Sequence, residues 1–320
     1  MSENLKEPSN DELASNTSED PQPAQPAAMI HLHDAAGNQV LVSREDWRTG
    51  TLEPMLRAQW DNPDGLYRAC VMSLNDGFAG EPILLEAAQR LHAIDNIPER
   101  GLPILGIVLS KQRRIRDARH LYEAALPRFP ESGNLRTNLA KVLWDEGEHE
   151  QSERVLREGL NLDPNQENGL NWWIEIQRRR GGQAAYVSAL REIAAISGSW
   201  RPQLMLAHQL LNERRNEDAI AMLRQSLAAH PDNGTVIDAV AGGFSRIQDP
   251  EGMIAAVGLA YDPARHEEQT GIALLRGYLA LGRRPEGEML LAQIEKLNRP
   301  HLKQILAQIS QQFSALKTTN

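Results

Sequence analysis

Apolar residues between positions 65 and 301 fall at helical spacing, and the apolar stripes themselves recur every 34 residues. Units begin at Gly65, Glu99, Gly133 and Glu167, each 34 residues on; one residue is then lost, and further units begin at Trp200, Gly234 and Glu268. The seventh position of each unit is apolar throughout: Val71, Leu105, Leu139, Trp173, Leu206, Val240 and Leu274. So is the twenty-fourth: Ala88, Tyr122, Leu156, Leu190, Leu223, Val257 and Leu291. Small residues hold the eighth position in Gly106, Ala140, Ala207 and Ala241, and the twentieth in Ala118, Ser152, Ala219 and Gly287. Two helices cross closely where side chains are small, with apolar residues filling the seam around the crossing. Pro130, Pro164 and Pro231 share the thirty-second position, where a proline ends the second helix. The pattern predicts seven helix–turn–helix units: 65–98, 99–132, 133–166, 167–199, 200–233, 234–267 and 268–301.

This 34-residue helix pair resembles the tetratricopeptide repeat. The unit Gly133–Gln166 carries the resemblance best, through Leu139-Ala140, Leu143, Gly147, Leu156 and the run Leu160-Asn161-Leu162-Asp163-Pro164-Asn165. Units 99–132 and 200–233 follow closely. Unit 167–199 departs from it, with bulky Ile174 and Tyr186 at positions where the family prefers small residues, and the units at Gly65 and Gly234 are degenerate. The resemblance implies an all-α, right-handed α-solenoid of about seven helix pairs. Residues 302–320 read as a capping helix and tail, with Leu302, Ile305, Leu306, Ile309 and Phe313 on one face to shield the last pair.

Ahead of the repeats the pattern changes. Ile30 and Leu32 alternate before a turn-like Asp34–Asn38, and Val40 and Val42 alternate after it, which predicts a small β-hairpin within residues 28–64. Ser43 with Glu45 and Asp46 reads as the N-cap and acidic first turn of a short helix. Residues 1–27 have no aromatic residue and six acidic residues against Lys6 alone, and read as a disordered acidic leader.

That leader holds more than half of the chain's net charge of -9, so the repeats are close to neutral. An excess of acid argues against nucleic-acid or anionic-membrane partners. Cys70 is the only cysteine of the 320 residues, so no internal disulfide can form and a cytoplasmic location is expected. The start lacks the basic and apolar blocks of a secretory signal, and no 18-residue apolar stretch is present for a membrane span.

No motif of phosphate-binding, nucleophile-elbow or zinc-protease chemistry occurs. Asp163, Asn165 and Glu167 have the spacing that opens a calcium loop, but Asn168 and Ile174 stand where such a loop needs Gly and Glu, which points to an inter-repeat turn. His31 and His33 lie on one face of the first predicted strand without supporting ligands, and no metal or cofactor is expected. Cys70 reads as a small buried hydrophobe.

The resemblance places first helices along a concave surface, at the second, fifth, sixth, ninth, twelfth and thirteenth positions of each unit. These supply Arg100; Asn134, Asn138, Lys141 and Trp144; Asn168, Asn171, Trp172, Glu175, Arg178 and Arg179; and Arg201, His208 and Arg276. Trp and Arg dominate binding hot spots, side-chain amides pair with peptide backbone, and the cations suit an acidic segment. The run Arg178–Arg180 also reads as a basic helix end. Of the adjacent tryptophans, Trp173 is expected in the core and Trp172 in the groove. A chaperone-tail clamp is not expected, because Trp172 and Asn168 replace the cations it needs in the second unit. The function this predicts is a non-enzymatic adaptor binding a protein or peptide. An assembly subunit pairing through residues 29–43 is the alternative, and an enzyme-associated regulatory subunit a more distant one.

Overall fold

The computed structural model describes residues 29–33 and 39–316. The leader at 1–27, the turn at 34–38 and the tail at 317–320 lie outside the described residues.

Strands β1 (Met29–His33) and β2 (Gln39–Ser43) pair antiparallel, with Ile30 opposite Val42 and Leu32 opposite Val40. Val42 packs onto the helical core while its neighbour Leu41 stands 55% exposed, as alternation requires. Ser43 caps the helical segment that follows, its Oγ accepting from Asp46 N at 3.0 Å. That segment comprises α1 (Arg44–Trp47), a wider π-type turn over Arg48–Leu52, and α2 (Glu53–Ala58). Trp47 stacks on Phe78 at 4.0 Å, and Leu52 and Leu56 are fully buried, so the segment closes the front of the helical array.

Seven helix pairs follow. They are α3 (Pro63–Asn75) with α4 (Pro82–Ile94), α5 (Pro98–Lys111) with α6 (Ile115–Ala125), and α7 (Gly133–Asp145) with α8 (His149–Leu162). Next come the two halves of α9 (Glu167–Ala194), then α10 (Arg201–Asn212) with α11 (Asn216–Ala229), α12 (Gly234–Arg246) with α13 (Pro250–Val257), and α14 (Glu268–Ala280) with α15 (Arg284–Glu295). The protein is an α-solenoid of tetratricopeptide-like pairs, closed at its far end by α16 (Lys303–Ala315).

The local sequence explains the ends of these helices. Asn62, Ser132, Asn233 and Asp249 cap α3, α7, α12 and α13, each accepting a backbone N–H three residues on. First helices close with a six-to-one hydrogen bond back across the turn, as in Arg114 N to Leu109 O and Glu148 N to Leu143 O, both 2.9 Å. That closure needs one left-handed residue, supplied by Gly147 (φ 85°) and Gly282 (φ 66°) but also by Arg113 (φ 64°), Arg214 (φ 60°) and Gln248 (φ 57°). Pair four departs from this: the two helices of α9 are joined by only two non-helical residues, Gly181 (φ -137°, ψ 20°) and Gly182 (φ 63°, ψ -153°). The second of these conformations belongs to glycine alone.

Packing follows the sequence columns. The small residues Ala140, Ala207, Ala118, Ser152 and Ala219 are fully buried, and Ser152 Oγ donates to Ala140 O across the crossing at 2.6 Å. A Cβ on Gly106 would lie 2.1 Å from the Tyr122 ring, so only glycine admits that side chain. The core is divided lengthwise into four clusters, and the divisions run through first helices: on α7, Leu139 and Leu143 belong to one and Ala140 to the next. Ile174, bulky where the family has small residues, is buried between Leu170 and Leu190. Leu302, Leu306, Ile309 and Phe313 bury against Ile272, Leu275, Leu291 and Ile294 of the last pair.

Candidate binding groove

The residues expected along the concave face separate into three groups. The first is assembled at the joint of pairs three and four. Trp144, in the last turn of α7, meets Trp172 of α9 edge to face, with ring centroids 5.7 Å apart at 79°. That is a favoured geometry for aromatic quadrupoles. His149, first residue of α8, also packs against Trp144, with ring centroids 4.2 Å apart. The two indoles line a cavity of about 260 Å³ with Ile176, Glu175, Arg179 and Arg180. Glu175 accepts from Arg178 Nε at 2.8 Å and Arg179 Nε at 2.9 Å. These bonds, Arg179's foremost, hold its carboxyl below the usual carboxylate range. Arg180 turns away to Glu153 of α8.

Lys141 stands one turn before Trp144 on the same face. It is exposed at its surface, yet desolvation among the groove walls, and then Lys111, hold its ammonium below the usual amine range. Lys111, the last residue of α5, falls at the thirteenth position of its unit, the same column that supplies Arg179. Column reasoning carried through every unit would have singled it out. Ile176 and Arg180 lie outside those columns and still line the cavity.

The second group is exposed but not gathered into a pocket. Asn134 is exposed and accepts from the mostly buried Asn138, through both its backbone and side-chain oxygens, at 3.0 and 2.9 Å. Asn168 and Asn171 are exposed on α9, and His208 on α10, where its Nδ1 lies 3.4 Å from Asn212 Nδ2. Arg276 lines a separate cavity of about 390 Å³ with Ser245 and Met253.

The third group is engaged in holding the array together. Arg100 pairs with Asp95 and Asp64, both at 2.7 Å, and Asp95 is nearly buried. Arg201 pairs with Glu167 at 3.2 Å, donates to Asn165 O at 2.7 Å and lies over the Trp200 ring. The stretch with calcium-loop spacing is a latch between units: Asn165 Oδ1 accepts from Trp200 N and Arg201 N at 2.7 and 2.9 Å, capping α10 from the preceding joint.

Trp173 faces the opposite way from Trp172. It lines an open cleft of about 690 Å³ with Glu150, Arg154, Arg157 and Glu158 along α8, and is half-buried rather than sealed in the core as expected. The join at Gly181–Gly182 lies beyond this cleft, and the indole N–H is buried without a partner among the described residues. Cys70 is fully buried, and burial pushes its thiol up to about 12, which suits a packing role. The side chains of His31 and His33 lie outside the described residues; elsewhere, the described residues hold no cluster of three or more metal-ligating side chains. No described helix is long and apolar enough to cross a membrane.

A stack of helix pairs with two indoles and several cations at the joint of pairs three and four defines the architecture as an α-solenoid. Residues 109–170, from the end of α5 to the start of α9, match the family model of the tetratricopeptide repeat. A tetratricopeptide repeat protein of Parabacteroides merdae is similar in structure, at 12% identity over 79% of this chain and 98% of its own, with a TM-score of 0.32. Pseudomonas aeruginosa pilF is similar at 15% identity over 62% and 91%, with a TM-score of 0.35. Yeast Tom70 is similar at 12% identity over 85% and 59%, with a TM-score of 0.42. No curated protein sequence matches significantly.

Proposed function

We propose that the protein is a non-enzymatic, cytoplasmic adaptor that binds a protein or peptide in the groove over α7 and α9. The observation that carries this reading is the Trp144–Trp172 pair, half-buried across the joint of two repeats and lining a cavity with room for one side chain. Indoles presented this way lose little entropy on binding and contribute large contact area. Asn134, Asn168 and Asn171 flank the pair and supply amides for the backbone of an extended segment. Capture of partners from lysate by Trp172→Ala/Arg178→Ala against the unaltered chain tests the reading. Loss of the captured set supports it, and an unchanged set rules this groove out as the site.

A second reading is favoured by β1 and β2, a two-stranded sheet with Leu41 exposed beside its edge. A free strand edge can accept a partner strand, which would make the protein an assembly subunit. Size analysis of the endogenous protein separates the two, since a strict monomer counts against assembly.

A further inference from the structure

The seven units are not evenly charged. Unit 99–132 carries seven cations against four carboxylates, the largest positive balance in the array, while the units on either side, 65–98 and 133–166, are net acidic. Four of its cations cluster where α5 turns into α6, in the run Lys111-Gln112-Arg113-Arg114-Ile115-Arg116, which holds no carboxylate. All four are exposed. Arg114 pairs with Asp117 at 2.6 Å, but Lys111, Arg113 and Arg116 form no ion pair among the described residues.

The two sides of this turn differ. On one, across a cavity of about 560 Å³, it faces Asp145, Glu146 and Glu148 of the α7–α8 turn, a wall that repels an acidic ligand. Arg119 engages the two glutamates at 2.8 and 2.7 Å, and Asp145 forms no ion pair among the described residues. The other side abuts the α3–α4 turn, where Gln112 Nε2 donates to Ala79 O and Glu81 O, both at 3.1 Å. Of the two carboxylates in that turn, Arg44 takes Glu81 at 3.0 Å, and Asp76 forms no ion pair among the described residues. Three unengaged cations against one carboxylate leave this side positive.

The chain itself brings an anion there. Met29 stands opposite Ser43 in the ladder, and the next residue, Arg44, grips Glu81 and donates to Gly77 O at 3.4 Å. Residues 1–28 therefore join the fold beside the α3–α4 turn, two contacts from Gln112. Their nearest carboxylates, Glu19 and Asp20, are tethered to Met29 by the uncharged stretch 21–28, which can reach about 25 Å. We propose that this leader docks on the α5–α6 turn of its own chain, with Glu19 and Asp20 against Arg113 and Arg116, as an internal counter-ion for the basic unit. Exposed ion pairs are individually weak. A short tether holds the partners at an effective concentration on the order of millimolar, so a few pairs suffice. The surface is separate from the concave groove, and its occupation does not depend on what the groove binds.

Carbodiimide coupling of the full chain tests this, because it joins a carboxylate to an amine only where the two meet. The lysines are Lys6, Lys111, Lys141, Lys296, Lys303 and Lys317, so Lys111 reports on the turn and Lys141, Lys296 and Lys303 on the rest of the array. In an equal mixture of heavy-isotope-labelled and unlabelled chains, mass spectrometry should find Glu19 or Asp20 linked to Lys111 within one label. The yield should fall about fivefold in Arg113→Ala/Arg116→Ala, and fall with added salt. Both arginines are exposed, and Arg113→Gly/Arg116→Gln removes the same charges while easing the left-handed turn if the first variant does not fold. Links spread evenly over Lys111, Lys141 and Lys303, a yield indifferent to the two arginines, or no link to Lys111 overturns the proposal. A Lys111 link that joins the two labels assigns the leader to a second copy and overturns it as well.

Discussion

Arg113, Arg214 and Gln248 hold positive φ at the place in the turn where Gly147 and Gly282 stand in other pairs. A side chain in that region crowds its own carbonyl, at a cost on the order of 1–2 kcal/mol. The closing hydrogen bond to the preceding helix holds the residue there, as in Arg215 N to Leu210 O at 2.9 Å. Arg214 is exposed and forms no ion pair among the described residues, so its guanidinium offsets none of this. Arg214→Gly is expected to stabilise the protein by about 0.5–1 kcal/mol after the extra chain entropy of glycine is counted. A higher urea midpoint would show it, and an unchanged or lower one would mean the turn carries no strain. The residue scale also explains why some groove positions serve another purpose. Position in a column fixes which face a side chain leaves from, and not where a long one ends. Arg100 and Arg201 leave from the concave face, but their guanidinium groups reach Asp95, Asp64 and Glu167 near the helix ends.

At the scale of elements, the helix pairs are legible in the sequence because burial imposes itself at fixed intervals: every twenty-fourth position from Ala88 to Leu291 is buried. Departures from the period are less legible, because each has a local cause. Helix α13 stops at Val257, where Gly258 and then Pro263 weaken the helix, and the connection is held instead by Asp262 N donating to His266 Nδ1 at 2.9 Å. The helices of pair four meet across Gly181 and Gly182 alone, and two glycines in sequence do not say how short the join between helices is. Trp172 and Trp173 diverge as their adjacency requires, but the open cleft beside Trp173 depends on how neighbouring helices approach, which a column cannot report. The cap is readable from its single apolar face. Phe313 is fully buried against Gly287, whose Cβ would lie 2.2 Å from the ring. Phe313→Ala is expected to cost about 3–5 kcal/mol. Because repeats depend chiefly on neighbours, hydrogen exchange should rise in α14–α16 and little in α5–α8. A uniform rise along the chain would contradict that.

Across the whole molecule, carboxylates bind the joints to one another. Asp95, bonded to Arg100, and Glu268, bonded to His301 and Arg299, both titrate below the usual carboxylate range. Each therefore binds protons more readily in the unfolded chain than in the folded one, so stability rises with pH through that range. Their contribution is fully present at neutral pH and is lost as pH falls below the ordinary carboxylate values. Asp95→Asn is expected to lower stability at pH 7 and to flatten the acid limb of a stability–pH profile, with the two curves converging at the most acidic points. A constant gap across pH would assign the loss to packing alone.

The backbone at Gly181–Gly182 has a consequence for what could replace it. Nothing lies within 4 Å of where a Cβ on Gly182 would be, so space alone would admit a side chain. Its conformation (φ 63°, ψ -153°) would not, because that region is closed to residues with a Cβ. The join of the fourth pair therefore excludes substitution through the chain itself, where Gly106 and Gly287 exclude it through the aromatic rings packed against them.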